Sequence, residues 1–160
     1  LTELYEKFVG PKLRLADIGL SEHTAVIDSF KGGVDESLRN LTAAGLGEAF
    51  CVLKTPAALS EGQQSRFRMA KAMASKAKAI FADEFCSTLD PLTALSLCVK
   101  VRRWASRSRR MFILAGPRQE IIEYLQPDVV VIKNSAPGAT VLSLEKFRKL
   151  IDEQEVSNQS

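Results

Sequence analysis

The chain has 160 residues, 46% of them hydrophobic and 26% charged, with a formal net charge of +3. These are globular values, which exclude disorder, collagen and coiled coil for the bulk of the chain, and no apolar run approaches the ~20 residues of a membrane span. One domain is expected at this length, with room for two closely packed subdomains, and burial of roughly 68–70% of the unfolded surface makes covalent staples unnecessary.

Leu1 to Phe8 has the pattern of a short amphipathic helix stopped by Gly10-Pro11, and Glu3, Glu6 and Lys7 stand where a signal peptide would have its apolar core. Leu13 to Phe30 gives mixed signals, and no element is assigned there. Lys31-Gly32-Gly33 predicts a turn, and Asp35 to Ala44 a helix with Leu38 and Leu41 on one face and Gly45 as its stop. Phe50 to Leu53 is short and apolar, and Pro56 to Leu59 reads as a loop. Ser60-Glu61-Gly62-Gln63 has the form of a capping box and opens a long helix, with Phe67, Met69, Ala70, Met73 and Ala74 on its expected buried side. Ala79 to Ala82 suits a buried parallel strand and ends at Asp83-Glu84. Asp90-Pro91, as N-cap and first helical residue, starts a second long helix running to about Ser106. Met111 to Ala115 reads as another buried strand, broken by Gly116-Pro117. A short helix over Gln119 to Leu125 and a third strand over Val129 to Lys133 follow. Pro137-Gly138 predicts a turn and Leu142 to Ile151 a last helix, with a polar, frayed tail from Asp152.

The alternation of strand and helix in the second half predicts the α/β class, with a parallel sheet flanked by helices and right-handed crossovers. The expected divisions are a partial helical lobe over residues 1–58, a core segment over 59–135, and a C-terminal helix with its tail over 136–160.

Charge is distributed unevenly: the net is −2 over residues 1–60, +7 over 61–110 and −2 over 111–160. Much of the basic excess is Arg102, Arg103, Arg107, Arg109 and Arg110, at the end of a predicted helix, where cations complement the macrodipole. Trp104 is the lone aromatic among them, so the stretch reads as a solvated helix end and not as a nucleic-acid surface. Cys51, Cys86 and Cys98 lack CxxC spacing, and His23 is the one histidine. That points away from a disulfide framework or a zinc site and toward a reducing cytoplasm.

Ligands of open parallel sheets bind beyond the carboxyl ends of the strands. Asp83 and Glu84 stand at such an end. A pair of carboxylates there suits a magnesium–phosphate site, one holding the metal and the other activating a water. Spacing strengthens the reading: Gln63 of Leu59-Ser60-Glu61-Gly62-Gln63 lies 20 positions before Asp83, and Asp90 of Ser87-Thr88-Leu89-Asp90 lies 7 positions after it.

In these motifs the sequence resembles the ABC-class (ATP-binding cassette) ATPases. LSEGQ is similar to their LSGGQ signature, AIFADE to the Walker B strand and STLD to the D-loop. The helix upstream of the signature resembles the family's helical subdomain, and the likeness covers residues 35–133. The resemblance implies a P-loop NTPase-like fold and an ATPase that works as a dimer, a homodimer by preference, with ATP and magnesium as ligands. It implies that Ser60 and Gly62 touch the γ-phosphate of an ATP held by the second subunit, with Gln63 supporting that loop. A helix N-terminus with free amides is physically suited to such an anion. It further implies that Asp83 holds magnesium, that Glu84 polarises the attacking water, and that Ser87 and Asp90 cross the dimer interface.

The chain departs from the pattern in four places. Glu61 replaces the first glycine of LSGGQ and brings a carboxylate near the expected phosphate. Phe85-Cys86 replaces the usual Pro-Thr, and DEFCSTLD resembles a soluble subgroup of the family found partly beside GNAT-type acetyltransferase domains. The switch histidine is absent, and Arg118 stands nearest its place; arginine can hold a phosphate but cannot relay a proton at neutral pH. Finally, no GxxxxGK[ST] phosphate loop occurs in the 160 residues. The expectation is therefore the C-terminal part of a longer ATPase whose missing N-terminal segment carries that loop, with this chain alone inactive. The start at Leu1, without Met or first strands, agrees with it. The alternatives are the ATP-binding subunit of a membrane transporter and a degenerate interaction module that no longer hydrolyses ATP.

Overall fold

The computed structural model describes residues 1–133 and 138–158, with side chains through residue 153. It forms two compact units, Leu1–Tyr124 and the residues from Leu125 on.

The first unit is built on a three-stranded parallel sheet. Strand β2 (Ala79–Ala82) is central, flanked by β1 (Lys12–Arg14) and β3 (Met111–Leu114). Leu13 pairs with Ile80 and Ile80 with Phe112. β2 is buried at every position, as the apolar run AIFA requires of a strand covered on both faces. On one face, Phe81 meets Tyr5 and Phe8 edge-on, at 5.0 and 6.0 Å between ring centroids. Tyr5 belongs to helix α1 (Thr2–Lys7), and Phe8 caps it. On the other face, Ile80 packs with Ala72, Ala77, Leu13, Leu15, Ile18, Trp104 and Phe112. Lys12 fixes the end of α1 by donating from Nζ to the carbonyls of Tyr5 (2.6 Å) and Phe8 (3.1 Å).

Helices surround the sheet. α2 (Gly33–Ala43) starts two residues earlier than predicted and stops at Gly45, whose φ of +76° favours glycine; the Leu46 amide closes back on the Leu41 carbonyl at 2.9 Å. Arg66 donates to the Gly45 carbonyl and pairs with Glu48 at 3.2 Å, tying the α2 terminus to helix α4 (Glu61–Ala74). Short α3 (Ala49–Val52) and a 3₁₀ turn over Pro56–Ala58 lead into α4. α5 (Pro91–Ser108) connects β2 to β3 and ends at Arg109, in left-handed conformation with φ 53°. The next residue, Arg110, covers Trp104 and donates to the Met73 and Ser75 carbonyls at the end of α4, so part of the basic stretch caps another helix instead of lying free in solvent. A 3₁₀ turn over Gln119–Ile121 and α6 (Ile122–Leu125) follow β3.

The second unit holds a hairpin of β4 (Val130–Ile132) and β5 (Thr140–Leu142), with α7 (Leu144–Asn158) against β5.

Four expectations are corrected. The strand expected at Val129–Lys133 does not join the parallel sheet: β4 pairs antiparallel with β5, because the short connection between them leaves no room for a crossover. The last helix starts at Leu144, Leu142 being in β5, and runs past Asp152 to Asn158. β3 is not buried along its length, since it is an edge of the sheet and Met111 is exposed. On α4, Ala72 and not Ala74 is buried. In the unassigned stretch Leu13 to Phe30, Leu13 and Arg14 belong to β1. Of the expected turn Pro137-Gly138, Pro137 lies outside the described residues.

Candidate functional site

Ser60 has extended backbone at the N-cap of α4, and a reciprocal box closes there. The Gln63 amide donates to Ser60 Oγ at 3.4 Å, and the Ser60 amide donates to Gln63 Oε1 at 3.1 Å. Local sequence dictates this, since Ser and Gln at N-cap and N3 satisfy two otherwise orphaned donors. The Ser60 hydroxyl accepts one bond and keeps its own O–H for another acceptor. Glu61 is exposed in the first turn. Replacing Ser60 by alanine should cost about 1 kcal/mol of stability, read as a lower urea midpoint; an unchanged midpoint would show that the cap contributes nothing.

Gly62 faces the loop after β2. A β-carbon there would lie 3.0 Å from Leu89 Cδ2 and 3.3 Å from the Thr88 carbonyl oxygen. The glycine thus lets the first turn of α4 lie directly against Ser87-Thr88-Leu89-Asp90.

Asp83 and Glu84 are both exposed at the carboxyl end of β2. The Glu84 amide donates to Asp83 Oδ1 at 3.2 Å, which orients the Asp83 carboxylate. Glu84 and Cys86 have φ of 50° and 63°, left-handed values that non-glycine residues adopt at a cost of order 1–3 kcal/mol. The alternation turns both carboxylates outward while Phe85 and Cys86 are buried. The Phe85 amide donates to the Ala115 carbonyl at 2.7 Å. The Cys86 thiol, hydrogen-bonded to the Cys98 side chain and shut away from water, is held well above the ordinary thiol range. All three cysteines are free and buried.

Asp90 caps α5, its Oδ1 accepting from the Thr93 amide at 3.0 Å. Hydrogen bonds from Thr93 hold its carboxyl below the ordinary value of 3.8. A depressed carboxyl pKa stabilises the fold above the unfolded value, so this cap should be complete above pH 3.8 and weaken as pH falls below it. An NMR titration of the Thr93 amide would follow it; a midpoint above 3.8 would contradict the bond.

Arg118 precedes the turn at Gln119, and its Nη2 donates to the Leu89 carbonyl at 2.7 Å. Gly62, Thr88, Leu89 and Arg118 are therefore drawn around one loop. No hydrogen bond among the described residues joins Ser60 to Asp83 or Glu84. Sequence reasoning missed the part played by Gly116: a β-carbon there would stand 2.9 Å from the Phe85 carbonyl oxygen. Gly116-Pro117 signalled a break in the strand, but not this close approach.

Among the described residues no group of three or more His, Cys, Asp or Glu converges as a metal cage, and no helix is long and apolar enough to cross a membrane. Two exposed carboxylates suit a magnesium ion that keeps most of its waters and takes further oxygens from a phosphate.

No family model matches the chain. The methionine import ATP-binding protein MetN of Rhizobium meliloti is 35% identical over 77 residues, 48% of this chain and 22% of that protein. The hypophosphite import ATP-binding protein HtxD of Stutzerimonas stutzeri is 59% identical over 39 residues, 24% of this chain and 11% of that protein. Among solved structures, a dimeric bacterial ABC transporter cassette superposes with TM-score 0.59 at 18% identity, covering 71% of this chain and 53% of the cassette. An ATP-binding cassette dimer in a post-hydrolysis state with ADP and Pi gives 0.66 at 16%, covering 87% and 66%. The match spans less than a quarter of the length of these curated relatives. The chain is thus similar in sequence to ABC import ATP-binding proteins over 48% of its length, and in fold to ATP-binding cassettes over most of it.

Proposed function

We propose that this chain is the C-terminal part of an ABC-class ATPase that binds and hydrolyses ATP as a cytoplasmic dimer, and that these 160 residues alone are inactive. The observation that carries the reading is the convergence of three motifs on one loop: Gly62 of the signature helix against Thr88 and Leu89, with Asp83-Glu84 exposed at the strand end just before them. The absence of GxxxxGK[ST] from the 160 residues, and the small share of each relative that is matched, support a phosphate-loop segment supplied from outside them.

Each residue then has a physical task. Ser60 offers its free O–H, and the first turn of α4 its amides, to a γ-phosphate held by the second subunit; among the described residues no hydrogen bond ties Ser60 to Asp83 or Glu84 of the same chain, which suits a site working in trans. Gln63 keeps Ser60 in place through its bond to the Ser60 amide. Asp83, oriented by the Glu84 amide, would hold magnesium, which supplies positive charge to the phosphate oxygens. Glu84 is a free carboxylate that orients a water and accepts its proton. Ser87 and Asp90 face the partner from the exposed side of the loop.

A second reading, the ATP-binding subunit of an importer, is favoured by the relatives, which are import proteins, and by α3 and its end, where Phe50 and Leu53 are 88% and 77% exposed as an apolar surface for a membrane partner.

The test joins the chain to a phosphate-loop half taken from MetN. The joined protein should hydrolyse ATP with magnesium, and Ser60→Arg, which blocks the small helix end, should abolish turnover while leaving ATP binding intact. A folded, ATP-binding dimer whose turnover ignores Ser60→Arg would overturn the proposed role of this helix end.

A further inference from the structure

The loops after β2 and β3 are joined at three places. The Phe85 amide donates to the Ala115 carbonyl at 2.7 Å. Gly116 lies against the Phe85 backbone so closely that only a residue without a side chain fits. Arg118 then reaches across to the Leu89 carbonyl, in a part-buried bond that links residues 29 positions apart. The loop held in this way contains Glu84 and Cys86, both in left-handed conformation. Such backbone persists only where its surroundings over-determine it. The first two contacts fix Phe85, at the start of the loop. Leu89, at its far end, lies against Gly62 and donates its amide to the Cys86 carbonyl at 3.3 Å, but its tie to the β3 side is the Arg118 bond, and bonds with a charged donor are the strong ones.

We infer that Arg118 is a positioning residue, which clamps the far end of the 84–90 loop at Leu89 and so sets where Asp90 stands. The inference rests on the reading of that loop as the catalytic segment only for its consequence in turnover; the clamp itself requires no nucleotide. Arg118 acts in place through Leu89, in the same chain, before any phosphate arrives. Its guanidinium is planar and carries several donors, so the bond to Leu89 also fixes the plane in which its remaining N–H groups are offered.

The cysteines provide the readout. Cys86 lies within the clamped loop at 1% exposure, whereas Cys51, at 4%, belongs to α3 and serves as an internal control. The purified chain is treated with N-ethylmaleimide, and alkylation of each cysteine is followed by peptide mass spectrometry. Arg118→Ala and Arg118→Gln should raise the Cys86 rate by about 10- to 100-fold through local opening, with Cys51 changed by less than about twofold. Arg118→Lys, which can still donate one bond to Leu89, should bring the Cys86 rate back to within about fivefold of the parent. An unchanged Cys86 rate, or equal rises at Cys86 and Cys51, overturns the clamp, as does a Lys variant no better than Ala. Because labelling uses no ATP, failure here leaves the ATPase reading standing, and failure of the joined protein to hydrolyse ATP leaves the clamp standing.

Discussion

Glu84→Gln, introduced into the chain joined to a phosphate-loop half, should slow magnesium-dependent ATP turnover by about 10²–10⁴-fold, the range for removing a general base. The substitution keeps the shape of the side chain and removes only its capacity to accept a proton. Glu84 is exposed, and only its backbone amide is engaged with Asp83, so neither folding nor ATP binding should change. Steady-state phosphate release measured beside nucleotide binding separates the two. A fall of less than about threefold would assign the water to another group and leave Glu84 as a turn residue, with its left-handed backbone unexplained by catalysis.

Phe81→Ala should be the most damaging single change to stability. Phe81 is fully buried in the central strand, with Tyr5 and Phe8 edge-on against it and Arg14 and Ile113 as its strand neighbours. Truncating such a ring costs about 3–5 kcal/mol, from lost transfer energy and the cavity left behind. Domains of this kind have only about 5–15 kcal/mol in total, so the variant should be marginally folded. The urea midpoint should fall sharply with little change in slope. A loss below about 1.5 kcal/mol would mean that α1 closes over the cavity, and that its attachment through Lys12 is looser than the bonds to Tyr5 and Phe8 indicate.

How much of this could be read beforehand depends on how local the causes are. The caps at Ser60 and Asp90 were legible because each is closed by residues three positions away. β2 was legible because a strand buried on both faces must be apolar at every position. β1 was not, because Lys12-Leu13-Arg14 has no period to detect and becomes a strand only by pairing with Ala79–Phe81, far along the chain. β4 was recognisable as a strand, but its partner was not, since β5 is three residues long and falls where a helix was expected to start. Within the candidate site, residue types and position pointed to the Asp83-Glu84 pair, whereas the roles of Ser60, Gly62, Gln63, Ser87 and Asp90 came from the resemblance to the ABC-class ATPases. Their arrangement did not follow from spacing: that Gly62 rests on Leu89, that Gly116 rests on Phe85, and that Arg118 holds Leu89 are long-range contacts with no periodic signal. Arg118 stands near the place of an absent histidine in the sequence, but its partner, Leu89, is set by the fold.

The central claim is that these 160 residues contribute the metal, water and signature elements of an ATPase and not the cradle for its phosphates. Phosphoryl transfer depends on positioning and electrostatic stabilisation of the transferring group, so without backbone amides and a lysine around the phosphates the barrier should stay close to that of the uncatalysed reaction. The direct measurement is phosphate release from ATP and magnesium by the purified chain, beside its Glu84→Gln variant. The account predicts that neither protein exceeds the buffer rate. Magnesium-dependent turnover by the chain, abolished by Glu84→Gln, would contradict it and show that another segment of these residues binds the phosphates.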